Sequence, residues 1–158
     1  MLYWDEVLFP SMLATIRGER YLLLSDNQIY DELVELAKRA ITAFKFPKQS
    51  LEYDKTEDTI DNFGYKYYFI NDNIGNAEIQ VLVAWMKVFW IDNLILNADN
   101  FNNLYHDSNI SAYSPGNLMS NYIKTQNSYK ADAKALEQNY YRVDIDGSPA
   151  ITGTIDDV

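Results

Sequence analysis

A chain of 158 residues with a net charge of −10 and no cysteine is poorly suited to gripping nucleic acid, to forming disulfides or to holding a thiolate-ligated metal. Affinity for a phosphate backbone comes mainly from clustered cations, and the 13 Lys and Arg here are outnumbered by 23 Asp and Glu and form no basic cluster. Length and a 47% hydrophobic, 23% charged balance suit a soluble globular protein with one core, and the missing cysteines fit a reducing cytoplasm.

Aromatic residues reach 15%, with 13 tyrosines. Tyrosine offers stiff contact area with a polar tip, which suits surfaces that meet other proteins; a Tyr-rich core is the plainer alternative. The opening Met1-Leu2-Tyr3-Trp4-Asp5-Glu6 has no basic segment ahead of an apolar one, so a cleaved secretion signal is not expected. Between Asp5 and Arg17, Val7, Leu8, Met12, Leu13 and Ile16 are spaced for a helix that Pro10 interrupts, predicting a short helix on either side. An apolar run, Tyr21 to Leu24, then leads into the clearest helix. Ser25 and Gln28 have capping-box spacing. Ile29, Leu33, Leu36, Ala37, Ala40, Ile41 and Phe44 form one apolar stripe opposite Asp31, Glu32, Glu35, Lys38 and Arg39, and Pro47 ends the element.

From Leu51 to Ile70 the chain turns aromatic and loosely alternating. Leu51 to Asp54 and Tyr65 to Ile70 predict either a hairpin across Lys55 to Asn62 or an irregular excursion. A third helix is expected from about Ala77 to Ala98, capped by Asn76 or the Asn-Gly segment before it, and apolar on almost every face. Its length permits a membrane span, but Glu78, Gln80, Lys87, Asp92 and Asn93 oppose one, since a mid-bilayer charge costs roughly 2.5–3.5 kcal/mol. A central buried helix is the better reading, covered by its own domain or by a partner chain. Asp99 to Tyr113 reads as an Asn-rich connection. Ser114-Pro115 then opens a last helix whose Tyr122, Gln126, Tyr129, Ala133, Leu136 and Tyr140 repeat like a coiled-coil seam. Val143 to Val158 reads as an extended tail that needs a partner to become ordered. The expected fold is therefore mainly α: a helical-bundle domain over 1–142 around a long central hydrophobic helix, with a short β-hairpin or irregular excursion at 51–70 and a C-terminal tail over 143–158.

Motifs for chemistry are sparse. The one histidine, His106, has no partner at motif spacing, and one His with no Cys makes a poor zinc set. Asn71-Asp72-Asn73-Ile74-Gly75 and Asp144-Ile145-Asp146-Gly147 place glycine at the wrong offset for a calcium loop and lack its closing Glu. The segment Asn62 to Phe69 has a loose likeness to the aromatic strand of an RNA-recognition module, which the acidity opposes. Phosphate loops, nucleophile elbows and paired-carboxylate motifs are missing. No catalytic residue, cofactor or metal is expected, and the chain is read as not an enzyme.

Three stretches spanning roughly 25–142 carry a family resemblance. They are the helix ending Ala40-Ile41-Thr42-Ala43-Phe44-Lys45-Phe46-Pro47, Ala77-Glu78-Ile79 opening the Trp/Met/Phe helix to Ile91, and Tyr105 through Tyr113-Ser114-Pro115 leading into a Tyr/Lys-rich helix. In spacing and architecture they resemble the head-to-tail connector (neck or adaptor) proteins of tailed bacteriophages, in particular the crAss-like group. The aromatic stretch at Tyr65 to Ile70 has no counterpart in that pattern. The resemblance implies a virion subunit made in the host bacterial cytoplasm. Such a subunit forms a homo-oligomeric ring, often twelvefold, under the portal and beside other neck and tail proteins, surrounding double-stranded DNA without specific binding or membrane contact. It also implies that Val143 to Val158 reaches the portal or a neighbouring subunit. Acidic side chains along a channel would let a duplex slide.

The alternatives are a small acidic DNA-mimic inhibitor, with carboxylates on one face, and a small carboxylate enzyme with at least one raised pKa in a pocket. For the leading reading the candidate residues are interfacial. Trp85 and Trp90, about a turn and a half apart, and the seam tyrosines Tyr122 and Tyr129 are potential anchors, each with core packing as its alternative. Ile145, Ile151 and Ile155 are the tail's apolar positions.

Overall fold

Helices dominate the computed structural model, which describes residues 1–15, 26–58, 64–104 and 115–143. The N-terminus contributes β1 (Leu2–Tyr3), α1 (Trp4–Val7) and α2 (Phe9–Thr15). The break falls at Leu8, two residues before the proline, and Pro10 sits in the first turn of α2, where a backbone N–H has no helical acceptor to lose. Trp4, Leu8, Phe9 and Met12 all enter the core from this short segment.

Helix α3 (Asp26–Ala43) follows the predicted stripe. Leu33, Leu36, Ala37 and Ala40 are buried, Ile29 and Ile41 half-buried, and Phe44 is buried one residue past the helix end. Tyr30 and Val34 widen that stripe, while Asp31, Glu35 and Arg39 stay exposed. Ser25, the expected cap, lies outside the described residues.

The aromatic stretch does form a hairpin, from β2 (Tyr53–Asp58) and β3 (Gly64–Phe69), in antiparallel register from Tyr53 opposite Phe69 to Asp58 opposite Gly64. A third strand, β1, pairs with the other side of β3, giving the order β1-β3-β2. Trp4 fastens this sheet to the helices. It is fully buried, stacks on Tyr67 at 5.0 Å, and meets Tyr53 at 4.8 Å and Phe69 at 5.7 Å. Rings at such separations add stabilisation beyond the area they bury.

Helix α4 (Asn76–Leu104) is the central element, and it runs six residues beyond the expected end at Ala98. The Asn-rich stretch did not stop it because asparagine costs only tenths of a kcal/mol in a helix, and neither Gly nor Pro intervenes between Gly75 and Pro115. Val81, Leu82, Val83, Ala84, Met86, Val88 and Ile91 are buried between α3 on one side and α5 (Pro115–Tyr141) on the other. By length and composition alone its stretch Asn76–Asn97 could cross a membrane. The charged and polar residues on it are used within the chain: Asp92 accepts a hydrogen bond from Gln126 of α5, and Asn93 accepts one from Arg39 of α3. Burial is not complete on every face, since Leu94 and Ile95 are half-buried and Leu96 is 60% exposed.

The predicted seam of α5 needs one correction. Ala133 and Tyr140 are buried as expected, but Glu137 occupies the inward position between them and Leu136 is exposed. The reason lies in the chain after α3: the Glu137 carboxylate accepts the Lys45 backbone N–H at 3.2 Å. That bond turns residue 137 inward in place of its neighbour.

Where the ends of α4 and α5 meet, one polar knot ties three segments. Glu78 accepts the Gly75 backbone N–H at 3.2 Å, the reciprocal half of a capping box at the start of α4. Its other carboxylate oxygen accepts the Tyr140 hydroxyl at 3.2 Å. The Tyr140 oxygen in turn accepts the Lys48 backbone N–H at 2.7 Å, and the Lys48 ammonium donates to the Tyr140 carbonyl at 2.8 Å. Tyr141 completes the knot, its hydroxyl accepting the Phe46 N–H at 3.2 Å. Glu78 and Tyr140 are both buried, so an unmet partner at either would carry the full desolvation penalty.

Two outcomes are expected. Tyr140→Phe strands the Lys48 N–H and lowers stability by about 1–3 kcal/mol, and Glu78→Ala, which also removes the cap, by about 2–4 kcal/mol, both read by urea unfolding. Burial, opposed by the Lys48 N–H and helped by the Glu78 charge, pushes the Tyr140 hydroxyl from 10.0 up to about 12. The folded chain thus holds this proton more tightly than the unfolded chain. The stabilisation is complete below pH 10 and lost as pH rises toward 12, and Tyr140→Phe makes that alkaline fall shallower.

Candidate functional site

The sequence candidates separate into three groups. Trp85 and Trp90 are half-buried and packed on the main core, with Trp85 stacked on Phe89 at 6.0 Å. Their indole N–H groups are buried and have no acceptor among the described residues. Tyr129 is half-buried against Ala84, Val88 and Ala133, where α4 and α5 approach closely through small side chains, and Tyr122 is half-buried on the same helix. Trp85, Trp90 and Tyr129 thus each pack against the bundle with one side. Ile145, Ile151 and Ile155 lie outside the described residues, as does His106.

A different surface carries strongly exposed large hydrophobic side chains. Phe46 is 71% exposed and Ile70 56%, with Tyr53 also open. Ile70 and Tyr53 line a shallow groove of about 640 Å³ with Ile41, Phe44, Lys45, Pro47, Leu51 and Glu52, and Phe46 falls between two of these residues in the chain. The floor is rigid: Phe44 and Leu51 are buried, and the Phe44 ring meets Tyr140 edge-on at 5.0 Å. The groove runs beside the start of β2, an outer strand of the sheet whose far edge has no partner among the described residues. An unpaired strand edge beside exposed apolar side chains is a ready site for another segment to add on.

Sequence reasoning passed over Phe46 and Ile70. Phe46 falls after the last residue of the α3 stripe, where helical period no longer assigns a face. Ile70 was legible in principle, because a strand alternates faces and an inward Phe69 sends the next residue outward.

Tyrosine and the cations explain each other. Lys38 sits over Tyr67 at 5.0 Å, Lys55 over Tyr65 at 4.4 Å, Lys66 over Tyr3 at 5.7 Å and Lys48 over Tyr140 at 4.8 Å, while Arg39 lies over Phe89 at 4.4 Å. Much of the tyrosine excess thus serves packing inside the chain, with Tyr30 and Tyr140 buried. Among the described residues the two buried carboxylates, Glu78 and Glu137, both accept main-chain N–H bonds. Among the described residues no three His, Cys, Asp or Glu side chains converge as a metal-binding group.

Comparisons with protein-family models, with curated proteins and with solved structures find no match to this chain.

If Trp85 serves the bundle, Trp85→Ala lowers unfolding stability by about 3 kcal/mol in the isolated chain. A change within about 0.5 kcal/mol would instead return Trp85 to the list of surface anchors.

Proposed function

We propose that this chain is a non-enzymatic structural subunit that assembles with copies of itself and with neighbouring proteins. The assembly we favour is the ring-shaped head-to-tail connector of a tailed bacteriophage, beneath the portal and around the DNA channel. The observation that carries the assembly role is the groove beside β2, where Ile70 is presented to solvent over the buried Phe44 and Leu51, with the exposed Phe46 on the adjoining stretch of chain. Large hydrophobic side chains held outward on a rigid platform are the ordinary anchors of protein contacts. The phage connector is the finer part of the reading and rests on the sequence resemblance over 25–142. The net charge of −10 and the cations resting on aromatic rings suit a subunit that encloses DNA without holding it.

The test is mass and shape. Light scattering and negative-stain imaging of the full chain, alone and mixed with the portal protein encoded in the same genome, are expected to give closed rings or a portal-dependent large complex. The double variant Phe46→Ser/Ile70→Ser keeps its folding stability within about 0.5 kcal/mol, because both side chains are largely exposed, and loses the assembly. A chain that stays monomeric with portal present and displaces DNA from a nuclease contradicts the reading in favour of an acidic mimic.

A further inference from the structure

Helix α3 sorts the charges on its outer side by sign. Asp31, Glu32 and Glu35 come first and Lys38 and Arg39 follow, and at roughly 100° per residue all five fall within about a third of the helix's circumference. That order suits the dipole of any helix. What singles out this one is the apolar surface beside each group. The acids share a hollow of about 410 Å³ with Asn93, Leu96 and Asn97 of α4, and Leu96 is 60% exposed. The cations, with Thr42 and Ala43, share a second hollow of about 380 Å³ with the half-buried Phe89. Arg39 sits between the two: its guanidinium covers the Phe89 ring at 4.4 Å and donates to the Asn93 side-chain oxygen at 3.2 Å. Phe89 and Leu96 lie two turns apart on α4, so the hollows are about 10 Å apart along one seam.

We infer that two copies of the chain pair through this seam about a two-fold axis, the acidic hollow of each against the basic hollow of the other. One rotation then makes both sets of complementary contacts, as an isologous interface requires. With the two α3 helices antiparallel, Asp31 and Glu32 of each copy lie opposite Lys38 and Arg39 of the other, Glu35 lies near the axis, and Leu96 packs toward the other copy's Phe89. Both cations have partners within the chain, Lys38 with Glu35 at 3.3 Å and Arg39 with Asn93. An ammonium carries three donors and a guanidinium five, so each can take a second acceptor without giving up the first. Exposed ion pairs contribute little individually. They set the orientation, and the apolar surface around Leu96 and Phe89 supplies the affinity. The inference rests on the reading that the chain assembles with its own copies and names the surface they share; it needs neither the portal nor the groove beside β2.

Sedimentation velocity of the full chain over a range of concentrations at low salt reads the pairing, and the parent is expected to form a two-chain species. Asp31→Lys/Glu35→Lys and Lys38→Glu/Arg39→Glu each leave the seam with mostly one sign, and each alone pairs at least about tenfold more weakly than the parent. Mixed in equal amounts, the two variants pair at least about tenfold more tightly than either does alone, which unfolded chains would not do. Leu96→Ser keeps every charge at a largely exposed position and weakens pairing at least about fivefold. Phe46→Ser/Ile70→Ser keeps the pair. A parent that stays monomeric, charge variants that pair like the parent, or folded variants that gain nothing on mixing overturns the inference. Where circular dichroism shows a charge variant unfolded, Leu96→Ser decides, and pairing equal to the parent's overturns it. Loss of the pair in Phe46→Ser/Ile70→Ser places the self-contact at the β2 groove and overturns it as well. Assembly with the portal is read separately. A large portal complex without this pair removes the seam and leaves the structural role standing, whereas the pair without any larger complex does the reverse.

Discussion

Everything distinctive about this fold hangs on a carboxylate that serves two helices at once. Glu78 caps the start of α4 through Gly75 and accepts the Tyr140 hydroxyl from the end of α5. A buried carboxylate is costly unless its oxygens are met, and here each oxygen has a donor from a different segment. Because Tyr140 also accepts the Lys48 N–H, the connection after α3 is locked into the same network. Three stretches far apart in sequence are thereby held at one end of the bundle in a chain that has no cysteine for a disulfide. The apolar contacts of Trp4, Leu82 and Met86 supply most of the driving force, but they are non-directional. The knot is what fixes which end meets which.

That fixed end creates the exposed surface. Phe44 is drawn under Tyr140 and Tyr141, and the chain then runs out through Phe46 and Pro47 before Leu51 turns back into the core. With both ends of the excursion anchored, Phe46 has no inward site to fill. Ile70 is kept outside in the same way by its neighbour Phe69, which is buried against Trp4. The groove that Ile70 lines follows from how the core is closed, and the assembly role proposed for this surface makes use of side chains that the fold leaves exposed.

Much of this architecture was legible in the residues. The α3 stripe, the apolar length of α4 and the start of α5 at Pro115 follow from period and turn chemistry, and the aromatic hairpin was one of two readings the alternation left open. What was not legible depended on contacts between distant segments. Leu2 and Tyr3 are too short a strand to show alternation, and only their pairing with Phe69 and Tyr68 makes them one. Leu136 and Glu137 are adjacent, and heptad spacing favours the leucine; the Lys45 N–H, remote in sequence, reverses the choice. The groove was not legible for a related reason. Trp85 and Trp90 stand out by residue type, and both are half-buried where they pack against the core. Phe46 draws no notice in the sequence because its exposure is a consequence of the knot.

The most direct test of the account is a map of the assembled particle at side-chain resolution. The account predicts that Phe46 and Ile70 of each subunit are covered by another polypeptide lying along the groove and the free edge of β2, with Glu78 still bonded to Tyr140 beneath them. An assembly whose contacts run through other surfaces, leaving Phe46 and Ile70 facing solvent, would contradict it.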